Sequence, residues 1–302
     1  MEKLPLSWIR QNRDNIEITN IPINFEKGNW LSLGKVPYKF DIIKYLSNYI
    51  STKKGSVLLR GLNASMSNIL GRKGFEVLPL GKEAVLSFNK NHFAKSSIRE
   101  IIRRGFRSGF VEEIPYSPEI EKRLMEFEKK TVHGSEPLLT NLYVTGLPKE
   151  TRLFVFKNDD DNWLGAIVIS INSKDKYQTE FLLRKKSAPP GIMEALIYGI
   201  FNTLKTDGKK YWSLGEVPFV LSADEHKRFS KADVLYRIGH LFRFAYNFEG
   251  LFFFKNKFAP IWEDVYIASY PKITLRQMFT VSLKSNLLKL IVFKLITSRF
   301  FV

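Results

Sequence analysis

Short apolar runs alternate with longer helix-periodic stretches along this chain, which predicts an α/β protein of the α+β kind, with mixed sheets. Three observations carry the prediction. In the first half, the buried-type run VLLRGL (57–62) precedes a helical stretch, the turn RKGFEVLPLG (72–81) and a second apolar run, AVLSF (84–88). In the second half, RLFVFKN, WLGAIVISI and QTEFLLR read as three strands parted by turn-forming residues, notably NDDDN (158–162). A length of 302 residues exceeds what one compact core usually fills, so two domains are expected, and an apolar content of 44% is enough to build them.

KSSIREIIRRGFRSGF (95–110) has the period of a helix. Lys95, Arg99, Arg103 and Arg107 fall four apart and form one basic stripe, beside an apolar row of Ile98, Ile102 and Phe106. Ser96 or Ser97 can cap its start and Gly109 can end it. The stripe holds a single acid, Glu100, and two readings stand level: a solvated helix face, and a cradle for phosphate groups. PEIEKRLMEFEKKTVHG (118–134) reads as another helix, with Pro118 in its first turn and Gly134 at its end. Leu138 to Lys149 is the expected divide, with a first domain over 1–143 and a second over 144–270. Within the second, PPGIMEALIYGIFNTLKTDGKK reads as a helix opened by Pro190 and closed at Gly208, and YWSLG (211–215) as a further strand.

The net charge of +17 favours an anionic partner, nucleic acid or anionic lipid, without choosing between them. The absence of cysteine excludes disulfides, a thiol nucleophile and thiolate metal sites. His92, His133, His226 and His240 have no metal-ligand spacing, so no metal is expected. The start, MEKLPLSWIRQNRDN, lacks a signal-peptide core, and no run of about eighteen apolar residues occurs, so a cytoplasmic location is expected. The tail 271–302 differs from the rest: it carries Lys272, Arg276, Lys284, Lys289, Lys294 and Arg299 and no acid, in an otherwise apolar setting. Two readings apply, contact with a membrane interface and a helix docked on the protein, with the first slightly favoured.

Three stretches together carry a family resemblance. TEFLLRKKSAPPGIMEALI (179–197) joins an acid-opened strand, a closing Arg and a Pro-Gly turn to a helix with an acid in its first turn. GKKYWSLGEVPF (208–219) is a Gly-aromatic strand ending in Leu-Gly-x-x-Pro. YNFEGLFFFKNKFAPIWEDVYIA (246–268) is the most specific. These resemble the catalytic domain of bacterial phosphatidylglycerol lysyltransferases, over roughly residues 57 to 270. The resemblance implies two tandem acetyltransferase-like (GNAT-like) domains with the active site in the cleft between them. It also implies an aminoacyl-tRNA donor, a phospholipid acceptor such as phosphatidylglycerol, no bound cofactor, and a peripheral position at the inner face of the cell membrane. The chain departs from the pattern at Glu180 and Glu194, where Asp is usual, at Glu249, and at Asp264-Val265. With Glu at both acid positions, lysine or another cationic amino acid is the expected cargo.

On that reading Glu180 and Glu194 face one cleft and bind the ammonium groups of the aminoacyl moiety, with a general-base role second; an ordinary ion pair of Glu180 with Arg184 is the plainer alternative. Lys255 and Lys257 share a face if extended, and hold a phosphate, the tRNA terminus or an oxyanion. The expected catalytic set is therefore Glu194, Glu180 and Lys257. The substrate-binding set is Arg184, Glu216, Arg237, Lys255 and Trp262, and Lys95, Arg99, Arg103 and Arg107 meet tRNA or lipid phosphate. Neither a P-loop nor a dinucleotide-type glycine loop is present. SAPPGIME (187–194) replaces the acetyltransferase pyrophosphate loop, and its prolines remove the backbone donors that coenzyme A needs. The alternatives are transfer to a cell-wall precursor or small amine, a coenzyme A-dependent acyltransferase, and a non-catalytic module binding anionic lipid or RNA.

Overall fold

The computed structural model describes residues 4–24, 26–53, 55–221 and 231–299. The early chain forms β1 (Trp8–Gln11), β2 (Glu17–Pro22), β3 (Gly28–Pro37), α1 (Ile42–Thr52), β4 (Ser56–Leu62), α2 (Ala64–Arg72) and β5 (Glu76–Ser87). Next come α3 (Ser96–Phe106), β6 (Phe110–Ile114) and α4 (Pro118–Glu128). The later chain gives β7 (Arg152–Lys157), β8 (Trp163–Ser173), β9 (Lys176–Arg184), α5 (Ile192–Lys205), β10 (Tyr211–Pro218), α6 (Lys231–Leu241), α7 (Phe248–Asn256) and β11 (Ile261–Tyr270). The tail folds into α8 (Leu275–Lys284) and α9 (Leu287–Arg299).

One mixed sheet of eleven strands runs through all of this, in the order β1-β3-β4-β11-β5-β10-β9-β8-β7-β6, with β2 on β3. Strands from 1–143 and 144–270 are interleaved in it. β6 closes the far end beside β7, and β11 is inserted between β4 and β5. The mixed α/β class expected from the sequence is what the chain adopts.

Coverage on both sides explains composition. β8 is apolar on both faces because both are covered. Ile167 and Ile169 pack with α5 in one core, while Ala166 and Val168 pack with Leu124 and Phe127 of α4 in another. α3 crosses α5 at close range. A Cβ on Gly105 would lie 2.4 Å from the Gly191 carbonyl oxygen and 2.7 Å from the Ala195 Cβ, so only glycine permits the crossing.

Several boundaries differ from expectation. RKGFEVLPLG is a turn only as far as Gly74, since β5 already begins at Glu76. Its Pro79 is tolerated beside a shift in the β5–β11 register, where a missing N–H does least harm. α3 is capped by Lys95 without a side-chain bond, so Ser96 and Ser97 fall inside it, and it ends at Phe106, before Gly109. α4 stops at Glu128 and does not reach Gly134. The tail is docked: Thr274 and Gln277 form a capping box on α8, and both donate to Glu26 at 3.0 Å.

Gly105→Ala is expected to destabilise the chain by roughly 1–3 kcal/mol through overpacking. Urea denaturation reads this directly, and an unchanged midpoint would mean that the α3–α5 crossing is looser than described.

Candidate active site

The site forms where β9 and β10 part. The two strands pair in parallel only over Lys176–Gln178 and Tyr211–Ser213; beyond that, β9 stays with β8 and β10 with β5. Each is bulged at the parting. Glu180 is the extra residue between Thr179 and Phe181, which oppose the consecutive Ile169 and Val168. On β10, the step from Ser213 to Glu216 matches only the step from Val85 to Glu83, with Gly215 at φ +88°. Bulges re-aim side chains and end pairing, and here two lie side by side.

Lys255, from the last turn of α7, enters this gap and is 3% exposed. Its Nζ donates to the Glu216 carbonyl at 3.0 Å, where β9 supplies no partner. Burial pushes the amine down to about 7, against the pull of the Glu216 and Glu83 charges. The Glu216 carboxylate pairs with Arg60 of β4 through Oε2, while its buried Oε1 has no hydrogen-bond partner among the described residues. Arg60 also donates to the Leu142 carbonyl at 3.1 Å. Tyr246 lies in the field of Glu216, and burial raises its phenol to about 12; burial raises Tyr143 as well. Glu83 binds Lys176 at 2.7 and 2.9 Å, both side chains being buried.

Glu180 is buried and accepts from Ser170 Oγ, from the Val144 N–H at 3.1 Å and from Gln178 Nε2 at 3.3 Å. Burial outweighs these bonds and raises its carboxyl to about 7. Gln178 Oε1, also buried, has no partner among the described residues. The result is a polar chamber under the segment 142–144. It holds two unfilled acceptors suited to N–H donors, and an amine and a carboxyl that both titrate near pH 7.

The remaining predicted residues fall elsewhere. Glu180 and Glu194 do not face one cleft. Ser170, the partner of Glu180, shares the α4 side of β8 with Ala166 and Val168, whereas Glu194 lies in the first turn of α5 on the opposite side. Glu194 is buried and accepts from Lys257 at 2.8 Å. Lys255 and Lys257 do not share an extended face, because their segment is helical, capped by Asn247 Oδ1 on the Gly250 N–H. Two positions apart on a helix is about 200°, which sends one inward and leaves the other half exposed. Arg184 donates to the Ala188 carbonyl at 2.6 Å and shapes the turn before α5. Arg237 is exposed and pairs with Asp233 at 3.0 Å. Trp262 stacks on Phe252 at 4.6 Å and donates to Asn256. Lys95, Arg99, Arg103 and Arg107 are all exposed, and Arg103 forks onto Glu100 at 3.0 Å. Arg99 and Arg103 edge an open basin shared with Lys90, Phe93, Tyr198 and Lys205. His226 lies outside the described residues, and no His/Asp/Glu cluster able to hold a metal occurs among those described.

Sequence reasoning missed Arg60, Ser170, Lys176, Gln178, Tyr143 and Tyr246. Two signals were present. Arg60 interrupts an otherwise apolar strand, and 176, 178 and 180 are polar at alternate positions of a strand, which marks one polar face inside the molecule.

Burial keeps the Glu180 proton on the folded chain from about pH 4.5 up to about pH 7. Its contribution to stability is therefore full below pH 4.5 and is lost as pH rises to 7, on the order of 3 kcal/mol. Glu180→Gln is expected to flatten that decline in melts taken across this range, and a slope equal to the parent's would locate the titrating group elsewhere.

Residues 33–269 match the family described as phosphatidylglycerol lysyltransferase, C-terminal. The phosphatidylglycerol lysyltransferase of Bacillus subtilis (strain 168) is 25% identical over 212 residues, 65% of this chain and 24% of that protein, so the chain spans about a quarter of that relative. In fold the chain is similar to the structure of L-PGS from Bacillus licheniformis, with a TM-score of 0.67 and 20% identity, covering 89% of this chain and 85% of that one. It is also similar to the C-terminal domain of a putative lysylphosphatidylglycerol synthetase from Agrobacterium fabrum, with a TM-score of 0.69 and 18% identity, covering 91% and 85%.

Proposed function

This chain belongs to the phosphatidylglycerol lysyltransferase C-terminal family, and on that premise we propose that it moves an amino acid from an aminoacyl-tRNA onto a hydroxyl of an anionic phospholipid such as phosphatidylglycerol. The observation that carries the reading is Lys255, an amine held near neutrality in a closed polar gap between two parting strands.

In the proposed step, the acceptor hydroxyl oxygen attacks the aminoacyl carbonyl carbon and the bond to the tRNA ribose oxygen breaks. Lys255 Nζ takes the hydroxyl proton and returns it to the leaving ribose oxygen. One ester replaces another, so the protein's work is positioning, proton transfer and charge stabilisation. Tyr246 keeps its proton at neutral pH and is a donor available to a developing oxyanion. The unfilled oxygens of Glu216 and Gln178, with Glu180 beside them, suit the ammonium groups of a cationic amino acid, and lysine is the proposed cargo. The basin edged by Arg99 and Arg103 is the proposed contact for the tRNA backbone. The interleaving of β6 and β11 supports reading 1–143 and 144–270 as two acetyltransferase-like units that exchange strands.

Incubation with a mixture of charged tRNAs and total lipid, followed by lipid mass analysis, tests the reaction. Lys255→Met is expected to lower product at least a hundredfold, with a melting temperature unchanged or raised, because a buried amine is replaced by an apolar chain of similar length. The parent rate is expected to climb as pH passes about 7, where the neutral amine takes over. Full turnover by Lys255→Met, or product on a non-lipid acceptor alone, would overturn the assignment. Arg99→Glu with Arg103→Glu is expected to weaken tRNA binding and to lower the salt slope by about 1 for each cation removed; an unchanged slope would place the tRNA elsewhere.

A further inference from the structure

α8 and α9 lie beyond residue 269, where the family match ends. α8 buries Gln277 and Thr280 against the protein and turns a row of Leu275, Phe279 and Leu283 outward; Leu275 is 78% exposed and Phe279 48%. α9 buries Leu290 and Ile291 and leaves Val292 54% and Ile296 53% exposed. Lys272, Lys284 and Lys289 are exposed on the same segment, which contains no acid. A helix that faces only water keeps its outer side polar. These outer sides are apolar, and their only charges are positive. That is the complement of an anionic headgroup layer over hydrocarbon. An RNA strand would answer the cations and leave the apolar row in water.

We propose that the outward faces of α8 and α9 form a docking surface for an anionic phospholipid bilayer. Among the described residues no helix is long and apolar enough to cross a membrane, so the contact is one that lies on the interface. The turn between the two helices is tied to the segment that covers the chamber. Thr140 donates through N to the Ser285 carbonyl at 3.1 Å and through Oγ1 to the Lys284 carbonyl at 3.2 Å, and Asn141 Nδ2 reaches the Lys284 carbonyl at 2.9 Å. Asn286 Nδ2 donates back to the Leu138 carbonyl at 2.9 Å. The same segment then offers the Leu142 carbonyl to Arg60 and the Val144 N–H to Glu180. A bilayer held by α8 and α9 is thereby one short segment away from the chamber. The purpose of the surface rests on the lipid-acceptor reading, but its existence does not.

Flotation of the full chain with vesicles tests this. Vesicles of phosphatidylglycerol mixed with phosphatidylcholine are expected to carry the protein, and pure phosphatidylcholine vesicles are not. Phe279→Glu with Ile296→Glu is expected to reduce partitioning roughly tenfold or more, with an unchanged melting temperature and unchanged turnover of a short-chain, water-soluble phosphatidylglycerol. Lys284→Glu with Lys289→Glu, which leaves the apolar row intact, is expected to weaken binding and its salt sensitivity together. Failure of the parent to float with anionic vesicles, or flotation of both variants to the same extent as the parent, overturns the proposal, as does a loss confined to tRNA binding. Vesicle binding that responds as expected while no lipid is aminoacylated leaves the surface standing and overturns the transferase reading alone.

Discussion

An ammonium group carried into a protein interior without a carboxylate in contact costs several kcal/mol, and Lys255 is held in that position by chain connectivity. α7 ends at Asn256 and β11 starts at Ile261. β11 is fixed between β4 and β5, paired with β5 from Ile261 to Ser269. Its entry is clamped by His92, whose Nε2 accepts from the Ser87 N–H while Nδ1 faces the Phe258 and Ala259 carbonyls at 3.1 and 3.0 Å. Phe258 is fully buried in the same place. Withdrawing Lys255 to water would mean peeling this turn from the sheet. The amine therefore stays and yields its proton more readily, which is the cheaper response to burial.

The charges around it are arranged to leave that amine alone. The Glu216 carboxylate is committed to Arg60, and Glu83 to Lys176. Both act on Lys255 through space, and their pull falls short of the cost of burial. Glu180 has hydrogen-bond donors and no cation in contact among the described residues. The chamber thus has one amine and one carboxyl both titrating near 7, the first lowered and the second raised by the same loss of water. A positive charge brought close to either group lowers its value.

Much of the local structure was legible in the sequence, because β8, β9, β10 and α5 announce themselves through period and turn residues that act over a few positions. The site was less so. The motif around Lys255 was found, but two lysines one residue apart were read with a strand's period of two, and the asparagine cap that starts a helix at Phe248 was passed over. Glu180 and Glu194 looked like neighbours across a short turn. The sheet itself lies between their partners, and the bulge at Glu180 re-aims its carboxyl, which no local periodicity encodes. The insertion of β11 between β4 and β5 pairs residues about two hundred positions apart, as Tyr270 with Val57, and pairing at that range is set by the whole sheet.

The tail shows how a segment outside the family match is bound into the site. The last carbonyls of a helix have no partner within it. At the end of α8 those of Lys284 and Ser285 are answered by Thr140 and Asn141, and Lys294 of α9 holds Glu136 at 2.5 Å. The segment from Glu136 to Val144 is thus fastened at one end by tail helices and at the other by Arg60 and Glu180. A loop fixed only at its chamber end would bear its own ordering cost, about 1–2 kcal/mol for each residue. With the tail docked, that cost is shared with helices already held by the capping box of Thr274 and by Glu26. The order of the chamber's cover therefore depends on α8 and α9, and whatever steadies those helices steadies the surroundings of Glu180 as well.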